Sequence, residues 1–257
     1  MKQVTASIIE KSEVMPGIYL IWLDSPGIAS TAKPGQFVMV ACGEETILRR
    51  PLSIHRVNGD RIALLFTIVG RGTLWLSERT AGDIVDIFGP LGNGFSINPA
   101  SKNLLLVAGG IGIAPLVFLT DEVAKQGKEA TLLLGAQTAS RLYPENLLPP
   151  EIELFTATDD GTVGRKGLIT DFFPEFTDRA DQIFACGPLP MYKTMSQIPE
   201  LKNKPVQVSL EMRMACGLGV CYGCTVKTRS GLKQVCKDGP VFELSDLDNI
   251  NWEELIL

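Results

Sequence analysis

The chain has a single histidine, no long apolar run and no basic tract. Roughly 18 consecutive apolar residues are needed to cross a bilayer, and no stretch reaches that length. The formal net charge is −5 and Lys and Arg do not cluster, so nucleic acid is not an expected partner. Met1-Lys2-Gln3-Val4-Thr5 alternates like a strand and lacks the apolar core of a signal peptide, which makes the cytoplasm the expected compartment. Cysteines number only six. Four crowd together with metal-ligand spacing, while Cys42 and Cys186 stand apart, so a disulfide framework is not expected in a reducing cytosol. The lone histidine, His55, reads as a packing or exposed strand residue rather than a catalytic base. There is no internal repeat and no low-complexity segment.

What is present is ordinary globular material. At 257 residues the chain is long enough for two compact domains or one large one. Its 45% hydrophobic and 21% charged residues argue against long disorder. Up to about residue 97 the pattern is short strands broken by Gly and Pro, with Asn58-Gly59-Asp60 as a hairpin turn, which predicts a small antiparallel barrel. Thr73 to Glu78 reads as a short helix. Asn98-Pro99-Ala100-Ser101 is a linker candidate. Beyond it, Asn103-Leu-Leu-Leu-Val-Ala108 is a continuous apolar run, the signature of a strand covered on both faces. A helix is expected over about 114–126. Strands at 129–134, 152–157 and 182–186 then alternate with helices near Ser140-Arg141 and 168–172, which predicts a parallel sheet flanked by helices. The domain reading is therefore 1–98, barrel; 99–205, α/β domain; and 206–257, a small cysteine-rich domain.

Three motifs carry chemistry. Cys216, Cys221 and Cys224 follow a C-x4-C-x2-C run, with Cys236 after eleven more residues. That is plant-type [2Fe–2S] spacing. Zinc ribbons instead pair two short C-x-x-C knuckles, so zinc is the weaker reading. Gly217, Gly219 and Gly223 would let backbone N–H groups approach the sulfurs.

The second motif is Arg49-Arg50-Pro51-Leu52-Ser53-Ile54, between two barrel strands, followed by Gly70-Arg71-Gly72-Thr73. Arg can clamp a pyrophosphate bidentately, and a Gly-rich helix start can hold a phosphate. The bland alternative is a surface Arg pair. Gly89 to Phe95 reads as a domain-junction turn. In the third, Gly109-Gly110-Ile111-Gly112-Ile113-Ala114-Pro115 leaves the buried strand and opens a helix, as a nucleotide-binding loop does. It is not GxGxxG, since Pro115 stands where the last Gly would be. Cys186-Gly187-Pro188 ends a later strand of the same domain, and Asp159-Asp160-Gly161 another; either is also an ordinary turn. Ser140-Arg141 lies where a 2′-phosphate would need a partner.

In this order the motifs resemble the ferredoxin–NADP reductase superfamily, and with the cysteines they resemble the electron-transfer subunits of class 1B dihydroorotate dehydrogenases. The resemblance implies an FAD-binding barrel, a nicotinamide-binding α/β domain and a C-terminal [2Fe–2S] domain. It implies that Arg50, Pro51, Leu52 and Ser53 contact FAD, that Leu65, Phe66 and Thr67 lie along it, and that Gly72 and Thr73 hold its phosphates. Gly110, Gly112 and Cys186 would border NAD, and Cys216, Cys221, Cys224 and Cys236 would ligate the cluster. The implied partner is an FMN-containing catalytic subunit, two of each forming a heterotetramer in pyrimidine biosynthesis. Competing readings are the flavin subunit of an NADH-dependent ferredoxin:NADP⁺ oxidoreductase or related reductase, and a zinc-binding scaffold without redox function.

Overall fold

A computed structural model describes residues 1–247. Its first unit is a closed six-stranded barrel of order β1-β2-β5-β4-β3-β6. The strands are β1 (Lys2–Met15), β2 (Ile18–Asp24), β3 (Phe37–Val40), β4 (Arg50–Asn58), β5 (Arg61–Thr67) and β6 (Ile84–Leu91). A one-turn helix, α1 (Pro26–Ala29), leaves β2, and α2 (Arg71–Ser77) follows β5. Every barrel pairing is antiparallel. Alternating side chains such as Ile21, Leu23, Ile62, Leu64, Val85 and Ile87 fill the barrel, with Leu76 of α2 closing the same core. Two register shifts against β2 keep β1 paired from Ser7 through to Met15.

The second unit is built on a seven-stranded sheet. Its strands are β7 (Asn103–Gly109), β8 (Glu129–Ala136), β9 (Glu153–Thr158), β10 (Arg165–Lys166), β11 (Gln182–Cys186), β12 (Val206–Ser209) and, after the cysteine hairpin β13 (Thr225–Thr228) and β14 (Gly231–Gln234), β15 (Val241–Glu243). The order is β10-β9-β8-β7-β11-β12-β15. All pairings are parallel except the last, where β15 runs antiparallel to β12. The apolar run of β7 serves both faces. Leu104, Leu106 and Ala108 meet α3 (Ile113–Lys125), while Leu105 and Val107 meet Ile169, Phe173 and Met191. Between β10 and β11 the chain makes one helical turn, α4 (Pro174–Thr177); α5 (Leu189–Ser196) follows β11, and α6 (Val235–Asp238) carries Cys236.

The helices expected near 140 and 168–172 are single 3₁₀ turns, Ala139–Arg141 and Ile169–Asp171. Each is pinned by neighbouring loop groups and too short to propagate a helix. The stretch expected as a separate C-terminal domain contributes β12 and β15 to the α/β sheet. The cysteine loop and hairpin are therefore an excursion between two sheet strands, and Met214, Cys224, Val226, Val235 and Cys236 share a core with Met39 and Leu91 of the barrel.

Candidate functional site

Two cavities meet where the barrel faces the C-terminal ends of the parallel strands. The first, about 540 Å³, is lined by Arg50, Pro51, Leu52 and Ser53 of β4, Leu65, Phe66 and Thr67 of β5, and Thr73 of α2. The adjacent arginines divide their work. Arg49 turns away to a bidentate pair with Asp86 on β6, at 2.8 and 3.0 Å. Arg50 stays at the cavity, its Nη1 donating to the Leu48 carbonyl. Gly72 leaves room for it, since a Cβ there would lie 2.6 Å from Arg50 Nε. The Thr73 hydroxyl accepts from the N–H groups of Val69 and Gly70 and donates to the Gly70 carbonyl. It builds the helix start, whose remaining first-turn N–H groups have no partner within the helix.

The second cavity, about 510 Å³, is lined by Gly110 and Gly112, with Gly135, Gln137, Arg141, Asp159, Gly187 and Pro188. Gly110 has a positive φ of 55°, a conformation glycine adopts without a Cβ penalty. Gly112 lies against the Cys186 carbonyl, in space a Cβ would occupy. Pro115 sits in the first turn of α3, where a missing N–H costs no helical bond. Arg141 donates to the Pro16 carbonyl at 2.7 Å, tying this loop back to the barrel. Cys186 lines the first cavity rather than the second, and its successors Gly187 and Pro188 take the expected place. Its thiol is buried and faces the Ser209 carbonyl at 3.7 Å, and burial pushes its pKa well up.

Thr67, Ile111 and Glu211 line both cavities. Glu211 is open to solvent within the cleft yet ringed by protein, and this desolvation raises its carboxyl pKa. Sequence reasoning missed it, together with Ser209, Leu210, Met212 and Met214, which line the first cavity. The signal available was position, since this segment follows β12 and leads straight to Cys216.

His55 is neither exposed nor beside a cavity. It is fully buried between barrel and α3, with Nδ1–H donating to the Ala114 carbonyl at 2.9 Å and Nε2 accepting from the Tyr143 hydroxyl at 3.0 Å. Burial holds its pKa down at about 3, so the ring is neutral. Its neighbour Arg56 makes a bidentate pair with Asp121 of α3, at 2.6 and 2.9 Å. Together they hold the start of α3 and its glycine loop at a fixed place against the barrel.

The cysteines form two pairs, Cys216 beside Cys221 and Cys224 beside Cys236. Backbone N–H groups point at their sulfurs: Leu218 to Cys216 at 3.3 Å, Gly219 to Cys236 at 3.1 Å, Gly223 to Cys221 at 3.5 Å and Cys236 to Cys224 at 3.4 Å. Burial raises the Cys216 thiol, but the surrounding amides and Cys221 outweigh it and bring the pKa to about 6. Burial and the Cys224 thiol push Cys236 up to about 12. Among the described residues no three His, Cys, Asp or Glu side chains meet as ligands of one ion. Four thiols with backbone amides aimed at their sulfurs fit the donor set of an iron–sulfur centre. The loop is locked to the barrel. Asn93 donates through its side chain to the carbonyls of Lys237 and Asp238 at 3.3 and 3.0 Å, and through its backbone to Gly239 at 2.5 Å.

Residues 211–248 match the family described as the iron-sulfur cluster binding domain of dihydroorotate dehydrogenase B. The electron transfer subunit of dihydroorotate dehydrogenase B (NAD(+)) of Desulforamulus reducens is 40% identical over 252 residues, covering 94% of this chain and 96% of that protein. The chain belongs to this family of electron transfer subunits. The corresponding subunit of a Geobacillus strain is 37% identical over 96% of this chain and 99% of its own length. Among solved structures, one of an NADH-dependent reduced ferredoxin-NADP oxidoreductase superposes with a TM-score of 0.88 at 31% identity, over 98% of this chain and 91% of that one. The ferredoxin reductase of carbazole 1,9a-dioxygenase, at 20% identity and a TM-score of 0.70 over 80% of this chain and 68% of its own, shares the fold. The family's iron–sulfur domain coincides with the paired cysteines, and its flavin-reductase fold with the barrel and parallel sheet. Among the described residues no helix is long and apolar enough to cross a membrane.

Proposed function

We propose that this electron transfer subunit carries electrons from the FMN of a dihydroorotate-oxidising catalytic subunit to NAD⁺, in pyrimidine biosynthesis. In this reading FAD occupies the first cavity, NAD the second, and a [2Fe–2S] cluster the cysteines. The observation that carries it is adjacency. Both cavities share Thr67, Ile111 and Glu211, and Met212 and Met214 run from the first cavity directly into the cysteine loop. When bound, a flavin exchanges single electrons with an iron–sulfur centre and a hydride with a nicotinamide.

The chain's own residues then place and tune. Arg50 presents its guanidinium to a pyrophosphate, and the α2 start offers N–H groups beside it. Ser53, Leu65, Phe66 and Thr67 form the wall along which an isoalloxazine would lie, with buried Leu65 and Phe66 excluding water. Gly110 and Gly112 permit close approach of a dinucleotide to the loop. Asp159 lines the nicotinamide cavity, and an acidic group there suits a ribose 2′-hydroxyl rather than a 2′-phosphate. Cys216, Cys221, Cys224 and Cys236 supply four thiolates, and the amides aimed at them stabilise negative charge on sulfur.

The test is anaerobic co-production with the same organism's FMN-bearing dihydroorotate-oxidising subunit. We expect a 2:2 complex that forms orotate with stoichiometric NAD⁺ reduction. Activity confined to a ferredoxin-linked partner, with none in the dihydroorotate assay, would overturn this function in favour of the ferredoxin-NADP oxidoreductase reading.

A further inference from the structure

Tyr192 is one of the largest fully buried side chains of the molecule. It lies on α5, a helix that lines the second cavity through Pro190, Met191 and Thr194. Its ring fills the core that also holds Met195, Leu201 and Val208. Apolar packing explains that ring but not its hydroxyl.

The hydroxyl joins two chain segments at the point where their pairing ends. β11 and β12 pair through Ala185 and Val208 and no further. Just beyond, the Tyr192 oxygen accepts from the Gly187 N–H at 2.9 Å and donates to the Ser209 carbonyl at 2.6 Å. The phenol takes over where the main-chain ladder stops, and each bond satisfies a buried backbone group. Gly187 continues into the wall of the second cavity, while Cys186 and Ser209 line the first. The Cys186 thiol faces the same Ser209 carbonyl, and Gly112 packs directly on the Cys186 carbonyl. A buried tyrosine ordinarily needs one partner for its hydroxyl. This one ties a wall of one cavity to a wall of the other, at the root of the segment that carries Glu211 on to Cys216. Burial pushes the phenol pKa well up, so the hydroxyl keeps its proton for Ser209.

We propose that Tyr192 is a positioning residue for hydride transfer, its hydroxyl setting the spacing between the nicotinamide wall at Gly187 and the flavin wall at Ser209. The proposal rests on the cofactor places assigned above. Tyr192 lines neither cavity, so it acts through those two backbone groups. Reacting geometry is sensitive to such spacing, since roughly 1 Å of misplacement can cost about a hundredfold in rate. Affinity for either nucleotide, spread over many contacts along its cavity, is far less so.

The test uses the whole chain loaded with FAD and cluster, without oxygen. NADH gives a hydride, one proton with two electrons, to the oxidised flavin, leaving NAD⁺ and reduced flavin, and stopped-flow absorbance follows the step. Tyr192→Phe keeps the ring and removes the bridge. It should slow flavin reduction at saturating NADH by about tenfold or more, with the Kd of NADH within about threefold of the native chain's. At equilibrium, with no turnover, the long-wavelength charge-transfer band of the reduced chain with NAD⁺ should weaken. Met195→Val is the control for lost stability, being buried on the same helix and lining neither cavity. It should lower the unfolding midpoint and leave rate and band unchanged. A native rate and band in Tyr192→Phe would overturn the proposal. So would equal slowing in Met195→Val, which would make loosened packing the cause. Failure of Tyr192→Phe to fold with its flavin would also overturn it, by placing the hydroxyl's role in the fold. A native chain that holds FAD but is not reduced by NADH would count against the proposed function instead.

Discussion

His55 shows how one buried group can make a whole chain acid-sensitive. Its pKa is about 3 in the fold, against roughly 6.5 in an unfolded chain. The unfolded state therefore takes up the proton first. The stabilisation is complete above pH 6.5 and is lost as pH falls towards 3. Between pH 7 and pH 5 this one residue should cost about 2 kcal/mol of stability. His55→Gln, which keeps a donor but cannot titrate, should flatten that part of a pH-dependent denaturation curve; equal slopes for both proteins would contradict the assignment. Glu211 makes a second case. A carboxylate between the cavities favours the positive charge that appears on a nicotinamide ring as it gives up hydride. Since desolvation raises its pKa, NADH:dye reductase activity should fall as acidic pH protonates it. Glu211→Gln should lower kcat/KM for NADH about tenfold and remove that acid limb, with flavin absorbance unchanged. Neither residue's environment was legible locally. His55 lies where β4 shifts register, buried next to buried Ile54, and its partners Ala114 and Tyr143 are 59 and 88 positions away.

The joints between elements are polar pins set in apolar contact. Arg56 on β4 reaches Asp121 on α3 and also donates to the Leu147 carbonyl at 2.9 Å. Burial raises the Asp121 pKa despite the guanidinium beside it, which marks a carboxylate dependent on that one partner. Arg56→Ala should therefore destabilise the protein by about 2 kcal/mol, more than a surface pair would. The same variant should speed hydrogen exchange at the β4–α3 seam before the barrel core. The cysteine excursion is pinned likewise, by Asn93 on the barrel and by Leu210 N–H to the Pro240 carbonyl at 2.9 Å. Cys224→Ser tests how independent it is. The variant should lose the cluster's visible absorbance but keep FAD and part of its NADH:dye activity, because neither cavity is lined by Cys224. Simultaneous loss of flavin would mean that the loop is needed to hold the barrel together. The element types were largely legible: the strand–glycine–helix passage at 103–115 and the barrel strands follow from local periodicity. The short 3₁₀ turns near 140 and 170 were not, because whether one turn propagates into a helix depends on the loop contacts around it, such as Ala139 N–H to the Thr162 hydroxyl and Leu168 N–H to the Asp171 carboxylate.

Over the whole molecule, the two cavities adjoin each other and the first runs on to the cysteine loop, an arrangement set by chain order and sheet order together. β12 and β15 bracket the cysteine loop at the edge of the parallel sheet, beside β11, whose end carries Cys186. That edge faces the barrel mouth, so the loop is both close to the first cavity and open outward. The four thiols' spacing and the glycine loop were fixed by sequence alone, because ligand geometry and close backbone approach demand particular residues at short range. The barrel and the α/β class followed from hydrophobic period, another local property. Only the tertiary structure decided that Cys186 faces the first cavity, that Glu211 joins the two, that His55 is a buried buckle, and that residues 206–209 and 241–243 belong to the α/β sheet. Those facts depend on contacts between segments far apart in the chain, and side-chain pattern within one segment carries no record of which distant segment will cover it.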